Sequence, residues 1–209
     1  MIRGGDRRRT QERDLELGRA VSLAQEGDEG AFERVYLLVH PGLLGYVRGL
    51  VGADAEDVAS DAWLEIARDL RRFRGDAVGF RGWTATIARH RAMDHLRRQK
   101  RRPPTLLVEP EVLNLPGRAD TVEAVLEAMS TRAALARVAG LPPDQAEAVL
   151  LRGVVGLDGP TAARVLGKRP GAVRTAAHRG LKRLAEQLTP VSMAKSAPDM
   201  MPGPLRDET

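Results

Sequence analysis

The chain has 209 residues, with 33 Lys and Arg against 28 Asp and Glu, a net charge of +5 and 43% hydrophobic side chains. That is room for one ordinary domain or two small ones, and enough apolar matter to bury a core, which excludes a wholly disordered chain. The absence of cysteine excludes a disulfide framework, a thiolate zinc site and a cysteine nucleophile. No apolar run approaches the roughly 18 residues of a membrane span, and the basic first ten residues are followed by no apolar stretch of a secretory signal. A cytoplasmic protein without membrane insertion is the expectation.

Residues 1–13 form a basic N-terminal arm. The first body covers residues 14–102, and β-branched residues never alternate with polar ones there, so an all-α fold is predicted. Gly27-Asp28 opens a helix with acid in its first turn. Asp54 is placed as an N-cap, with Asp57 at the third helical position as in a capping box. Ala59, Ala62, Trp63, Ile66 and Leu70 then repeat at helical spacing. Trp83, Ile87, Ala88, Ala92 and Leu96 mark a last helix ending near Arg102, where Pro103-Pro104 stops it.

Residues 103–120, with Pro103, Pro104, Pro110, Pro116 and Gly117, read as a flexible linker. Fully extended they reach ~60 Å at ~3.3 Å per residue, the length of roughly 17 base pairs at ~3.4 Å each. The second body covers residues 121–188. Val122, Val125, Leu126 and Met129 start one helix, and Pro142-Pro143 opens another over 144–152. Pro160 heads a short helix over 161–166 that Gly167 ends. Arg169-Pro170 then starts a long helix with a seam of Val173, Ala177, Leu181, Leu184 and Leu188. A short helix, a glycine turn and a long basic helix make a helix-turn-helix. Residues 189–209 hold four prolines and no apolar period, and read as a disordered tail. All seven aromatic residues lie between Phe32 and Trp83, so the two bodies are expected to have different cores.

Charge is distributed in blocks. Residues 26–67 hold nine acids against Arg34 and Arg48; residues 68–102 hold twelve Lys and Arg against Asp69, Asp76 and Asp94; residues 159–185 hold seven Lys and Arg and no acid. Two basic blocks flanking a more neutral stretch suit two contacts on one nucleic acid, with an acidic face left for another partner.

Within these blocks, Asp57, Asp61 and Glu65 fall at i, i+4 and i+8 and form one acidic stripe, either a solvated face or a dock for a basic protein surface. Residues 71–83 combine Arg71, Arg72, Arg74 and Arg81 with Phe73, Phe80, Trp83 and three glycines. Stacking rings mixed with cations suit single-stranded nucleic acid; the alternative is an interhelical turn flanked by core aromatics. Arg89, His90, Arg91, Arg97, Arg98, Lys100, Arg101 and Arg102 on the following helix suit phosphate. On the long helix, Arg174, Thr175 and His178 would face base edges, and Arg179, Lys182 and Arg183 phosphates. Catalysis finds little support. His90 and His95 lie on different helix faces, His90 and Asp94 have no nucleophile near them, and there is no phosphate-binding glycine loop. Neither an enzyme nor a bound metal or cofactor is expected.

Residues 55–64, Ala-Glu-Asp-Val-Ala-Ser-Asp-Ala-Trp-Leu, resemble the polymerase-binding helix of bacterial sigma factors of the extracytoplasmic-function type. Phe73-Arg-Gly-Asp76, Phe80-Arg-Gly-Trp83 and the run from Ile87 to Arg98 resemble that family's promoter-melting and minus-ten-reading part. Leu141-Pro-Pro-Asp-Gln145 resembles the opening of its C-terminal domain, and residues 167–181 its recognition helix. The resemblance covers residues 15–188. It implies that Asp57, Ser60, Asp61 and Glu65 bind the coiled coil of the polymerase β′ subunit, with further contacts to β. It implies minus-ten DNA contacts from Phe73, Arg74, Asp76, Phe80, Arg81, Trp83, Arg89, His90, Arg97 and Arg98. Minus-thirty-five contacts would come from Arg174, Thr175, His178, Arg179 and Lys182. An anti-sigma factor is the further partner it implies. Ser60 stands where the family usually has Gln, and His90 where Asn is common.

A sigma factor directing core RNA polymerase to promoter DNA is therefore the leading reading. An autonomous helix-turn-helix regulator would leave the acidic stripe and the aromatic-arginine segment idle. An enzyme acting on nucleic acid would need a site that no residue pattern supplies.

Overall fold

The computed structural model describes residues 3–101 and 122–188, with side chains for 8–101 and 131–187; the linker of residues 103–120 and the tail of residues 189–209 lie outside them. The described residues form eight α-helices and no strand, in agreement with the all-α prediction.

Four helices make the N-terminal body: α1 (Arg3–Glu26), α2 (Glu29–Val51), α3 (Ala55–Asp69) and α4 (Ala77–Arg101). Helix α1 begins inside the segment read as an arm and runs on without a break. Gly27, at φ 103°, turns the chain, and the Asp28 carboxylate caps α2 by accepting the Ala31 N–H at 2.8 Å. Val35, Val39, Leu43, Tyr46 and Val47 bury one side of α2 against the surrounding helices, where they meet Leu17 of α1, Ile66 of α3 and Phe80 of α4.

Helix α2 lies within a stretch, Glu29–Arg72, whose best 18-residue window reaches a mean hydropathy of 1.2, enough in length and composition for a membrane span. This differs from the expectation that no apolar run approaches a membrane span. Val35, Val39, Leu43, Tyr46 and Val47 of this stretch lie in the protein core, while Leu37 is exposed.

Asp54 departs from the capping-box expectation. It ends a 3-10 turn, Gly52–Asp54, and makes no cap hydrogen bond to α3. Its carboxylate instead meets His95 Nε2 at 2.8 Å and accepts from Gln99 Nε2 at 2.7 Å, tying the start of α3 to the last turns of α4.

The C-terminal body contains α5 (Val122–Ala139), α6 (Pro143–Gly153), α7 (Gly159–Leu166) and α8 (Pro170–Leu188). Asp158 caps α7 by accepting the Thr161 N–H at 2.7 Å, and hydrogen bonding from the Thr161 side chain, then from its backbone N–H, holds the carboxyl below the usual carboxylate range. Gly167 ends α7 in the left-handed region at φ 62°, ψ 31°, as its position predicts, and α8 follows as the second helix of a helix-turn-helix.

The two bodies are in contact and share one continuous core, where the sequence suggested separate ones. Helix α7 packs on α4, and α5 and α6 on α2. The close approach needs glycine. A Cβ on Gly45 would lie 2.8 Å from Val154, one on Gly49 2.6 Å from Leu150, and one on Gly82 2.5 Å from Thr161.

Candidate protein and nucleic-acid interfaces

Helix α3 buries Ala55, Val58, Ala59, Ala62, Trp63 and Ile66 and turns Asp57, Ser60, Asp61 and Leu64 outward. Asp57 and Asp61 have no ion pair among the described residues. Glu65 differs. It is half-buried and its carboxylate takes Arg91 of α4 at 2.6 Å, so it braces α3 against α4 and is not displayed with the other two. Leu64 is 67% exposed, off the predicted apolar face of Ala59, Ala62, Trp63, Ile66 and Leu70. It gives the acidic face an apolar centre.

Behind α3, His40 of α2 accepts the Trp63 indole N–H at Nδ1 over 3.1 Å and stacks on Tyr36 at 4.4 Å. Burial, aided by Arg48, outweighs the charge of Glu56 and holds the imidazole below its ordinary pKa, in the neutral form that this acceptor role requires. Sequence reasoning missed this contact, since nothing in the spacing links residues 40 and 63.

The segment between α3 and α4 and the first turns of α4 form a cleft of about 1020 Å³ with α7, lined by Phe73, Arg74, Trp83 and Thr86 on one side and Thr161 and Arg164 on the other. Of the two alternatives open from the sequence, the core reading holds for two rings. Phe80 is fully buried and Phe73 is 9% exposed, packed edge-on at 5.1 Å. Trp83, 5.3 Å from Phe73, is the ring left partly open.

The polar members of this segment are largely engaged within the body. Asp76 caps α4 through the Gly79 N–H at 2.7 Å, a job set by its place just before the helix. Arg74 donates to the carbonyls of Arg71 and Phe73, each at 2.7 Å, and so fixes the loop's bend. Arg81 pairs with Asp14 of α1 at 2.5 Å. Asp76 remains exposed at the cleft, whereas the Arg81 guanidinium is taken up by Asp14.

Further along α4, His90 is exposed. Arg97 is exposed and pairs with Asp94 at 2.8 Å, and Arg98 leans on the Asp94 carbonyl at 3.4 Å. Arg89, expected to hold phosphate, is covered by α6, where its Nε donates to Glu147 at 2.9 Å. The Glu147 hydrogen bond raises the guanidinium pKa further, and the buried Tyr46 phenol beside it is pushed up by desolvation.

On α8, Arg174, Thr175, His178, Arg179, Lys182 and Arg183 are all exposed, while Val173 and Ala177 are buried. The Thr175 hydroxyl donates to the Gly171 carbonyl at 3.0 Å and Lys182 faces Glu186 at 3.9 Å; Arg174, Arg179 and Arg183 have no ion pair among the described residues. The helix therefore offers cations on the face opposite its apolar seam, in the position from which a helix-turn-helix enters a major groove.

Residues 35–102 match the Sigma-70 region 2 family and residues 131–184 the Sigma-70 region 4 family. The chain is 35% identical to the ECF RNA polymerase sigma factor BldN of Streptomyces coelicolor over 80% of its own length, spanning just under two thirds, 64%, of that relative. It is 34% identical to the ECF RNA polymerase sigma factor ShbA of Streptomyces griseus over 80% of this chain and 93% of that one. To the ECF RNA polymerase sigma factor SigD of Mycobacterium tuberculosis it is 31% identical, over 82% of this chain and 84% of that one.

Two solved structures share the fold at 22% identity. CnrH in complex with the cytosolic domain of CnrY has a TM-score of 0.57, covering 83% of this chain and 97% of that one. The sigma factor RpoE in complex with the anti-sigma factor NepR, from Bartonella quintana, has a TM-score of 0.55, covering 78% of this chain and 98% of that one.

Proposed function

This chain belongs to the ECF RNA polymerase sigma factors, and we propose that it selects promoters for core RNA polymerase through three separate surfaces. It works by binding and carries out no covalent chemistry. The face of Asp57, Ser60, Asp61 and Leu64 on α3 receives a basic coiled coil of the β′ subunit, the carboxylates steering and Leu64 supplying the desolvated centre. The cleft beside Trp83, with Arg72 and Arg74 at its edge, takes an unstacked base of the melted minus-ten strand, while Arg97 and Arg98 follow the phosphates. Helix α8 reads the minus-thirty-five element with Arg174, Thr175 and His178, and holds its backbone with Arg179 and Lys182. An anti-sigma factor is the proposed inhibitory partner, a role the NepR complex illustrates for a protein of the same fold.

The observation that carries this reading is the presence of an open acidic face beside open basic ones. Among the described residues, the exposed carboxylates of Asp57 and Asp61 on α3 and the exposed guanidiniums of Arg174, Arg179 and Arg183 on α8 have no ion pair. A DNA-binding regulator needs the second set and has no use for the first. Adding the protein to sigma-free core polymerase with a library of promoter fragments tests the reading. Specific initiation from a subset of fragments is expected. Duplex binding by the protein alone, with no initiation, would favour the autonomous regulator instead.

A further inference from the structure

We propose that the first turns of α1 are a further nucleic-acid grip, in which Arg9 and Arg13 hold the sugar-phosphate backbone of the promoter strand whose unstacked base enters the cleft beside Trp83. The identity of that strand rests on the sigma-factor reading above; the affinity of this helix side for a nucleic-acid backbone does not.

Helix α1 is longer than the body it packs on. Its buried side begins at Leu17 and continues through Ala20, Val21 and Ala24. Residues 8–13 are all exposed, and Leu15 is 61% exposed. Between Arg8 and Leu17 roughly 13 Å of helix therefore overhangs the body, at ~1.5 Å per residue. Arg9, Arg13 and Leu17 fall at i, i+4 and i+8, so the two arginines continue the core-facing side of α1 past the edge of the described body. Arg8 and Arg19, also exposed, lie on the opposite side of the same helix.

Like charges four residues apart disfavour a helix, and no acid relieves this pair. Arg9 and Arg13 have no ion pair among the described residues; Asp14 is held by Arg81 and Glu16 by Arg34, and Glu12 falls on the outer side with Arg8. The complementary charge comes from outside the chain. The Asp14–Arg81 pair fixes where the overhang starts, because Arg81 is two residues from Trp83 on α4, while at the other end of α1 Gln25 holds the Leu70 and Phe73 carbonyls. Helix α1 thus runs along the segment that forms the cleft and overhangs beyond its contact with α4. Arg9 and Arg13 stand ~6 Å apart along the helix axis, about two phosphate steps at ~3.4 Å per nucleotide of one strand. An acidic protein surface would match the charge alone. The neighbouring cleft, with the partly open ring of Trp83 and with Arg72 and Arg74 at its edge, favours a strand.

The test assembles the full-length chain with core polymerase on a promoter fragment that this holoenzyme selects from a library, and follows affinity over a potassium chloride series. Arg9→Gln with Arg13→Gln keeps good helix formers at two exposed positions and removes two charges. It should lower the slope of log affinity against log salt by roughly 1.4–1.8, two contacts at ~0.7–0.9 each, and weaken binding about tenfold or more at about 0.1 M salt. The preference for matched over scrambled sequence should not change, as expected of backbone contacts. Arg9→Lys with Arg13→Lys retains the charge and should retain the slope. Arg8→Gln with Arg19→Gln removes the same charge from the opposite side and should leave the slope at the parent value. An unchanged slope in the inner pair, or equal losses from the inner and outer pairs, would overturn the proposal. So would an inner-pair variant that assembles poorly with core polymerase yet binds the fragment normally once assembled, which would assign the overhang to an acidic protein surface. If the parent holoenzyme selects no fragment, the sigma-factor reading fails, and the same salt series on the free chain with a polythymidylate strand decides on Arg9 and Arg13 by itself.

Discussion

Arg89 and Glu147 lie 58 residues apart and meet twice, Nε to Oε2 at 2.9 Å and a terminal guanidinium nitrogen to Oε1 at 3.4 Å. Both partners are more than two-thirds out of solvent, and the pair sits over the buried Tyr46. A charge-assisted, two-pronged contact at that depth is worth more than a surface ion pair, and removing one partner leaves the other desolvated. Glu147→Gln keeps the shape and loses the charge. It should lower the stability of the chain by about 1–3 kcal/mol, read from the urea midpoint at constant slope. A midpoint unchanged from the parent protein would show that the pair is incidental.

The acidic face of α3 gives a second prediction. Asp57 and Asp61 are exposed and form no ion pair among the described residues, so reversing their charge breaks no ion pair there. Asp57→Arg with Asp61→Arg should leave the thermal transition where it is and abolish co-elution with core polymerase. Glu65→Arg should behave differently. It breaks the Arg91 pair and sets two cations against each other, so it should cost stability as well as binding. Unchanged co-elution of the double variant would remove this face from the polymerase contact.

His40 predicts a pH dependence. Its folded pKa is depressed below 6.5, chiefly by burial, and its Nδ1 accepts from Trp63 only when unprotonated. The unfolded chain therefore binds a proton more readily than the folded one, and stability from this group is present above about 6.5 and lost as pH falls through the lower folded value. The Trp63 indole N–H resonance should shift as the sample is acidified through that range, with denaturation becoming easier in parallel. His40→Gln supplies an amide that does not titrate and should flatten the response. A Trp63 resonance indifferent to acid would contradict the assignment.

The parts that the sequence made legible are those governed by local rules. Asp28 opens α2 and Gly167 ends α7 because their positions next to a helix decide it; of the predicted α8 seam, Val173 and Ala177 are buried as the 3.6-residue period requires, whereas Leu181 is 58% exposed because no described helix covers the later turns of α8 on that side. The contacts that stay hidden in the sequence join residues far apart along the chain. Arg89 found Glu147, Arg81 found Asp14, Glu65 found Arg91 and Asp54 found His95. None of these pairings leaves a trace in spacing. Phe73 and Phe80 were attractive as stacking surfaces because arginine and glycine surround them, yet their burial comes from α1 and α4 meeting over the turn, where Gln25 donates to the Leu70 and Phe73 carbonyls at 2.9 Å. Gly45 and Gly49 of α2 signal nothing by spacing alone; their approach to Val154 and Leu150 shows only once the other body is in place.

Arg174 carries the last prediction. It is exposed, one residue after the buried Val173, in the N-terminal half of α8, with no acidic partner among the described residues. A guanidinium so placed can form a two-pronged contact to a guanine edge in the major groove. Arg174→Ala should therefore weaken use of the upstream element by ~1–3 kcal/mol and relax the preference at one base position. Arg179→Ala should lower affinity by a similar amount on matched and mismatched sequences alike and reduce the salt dependence of binding, as expected of a phosphate contact. The comparison matters more than either value. If the two variants lose the same preference at the same base, the division of α8 into base-reading and backbone-holding residues is wrong. If neither changes discrimination between a matched and a scrambled upstream sequence, α8 is not the recognition helix.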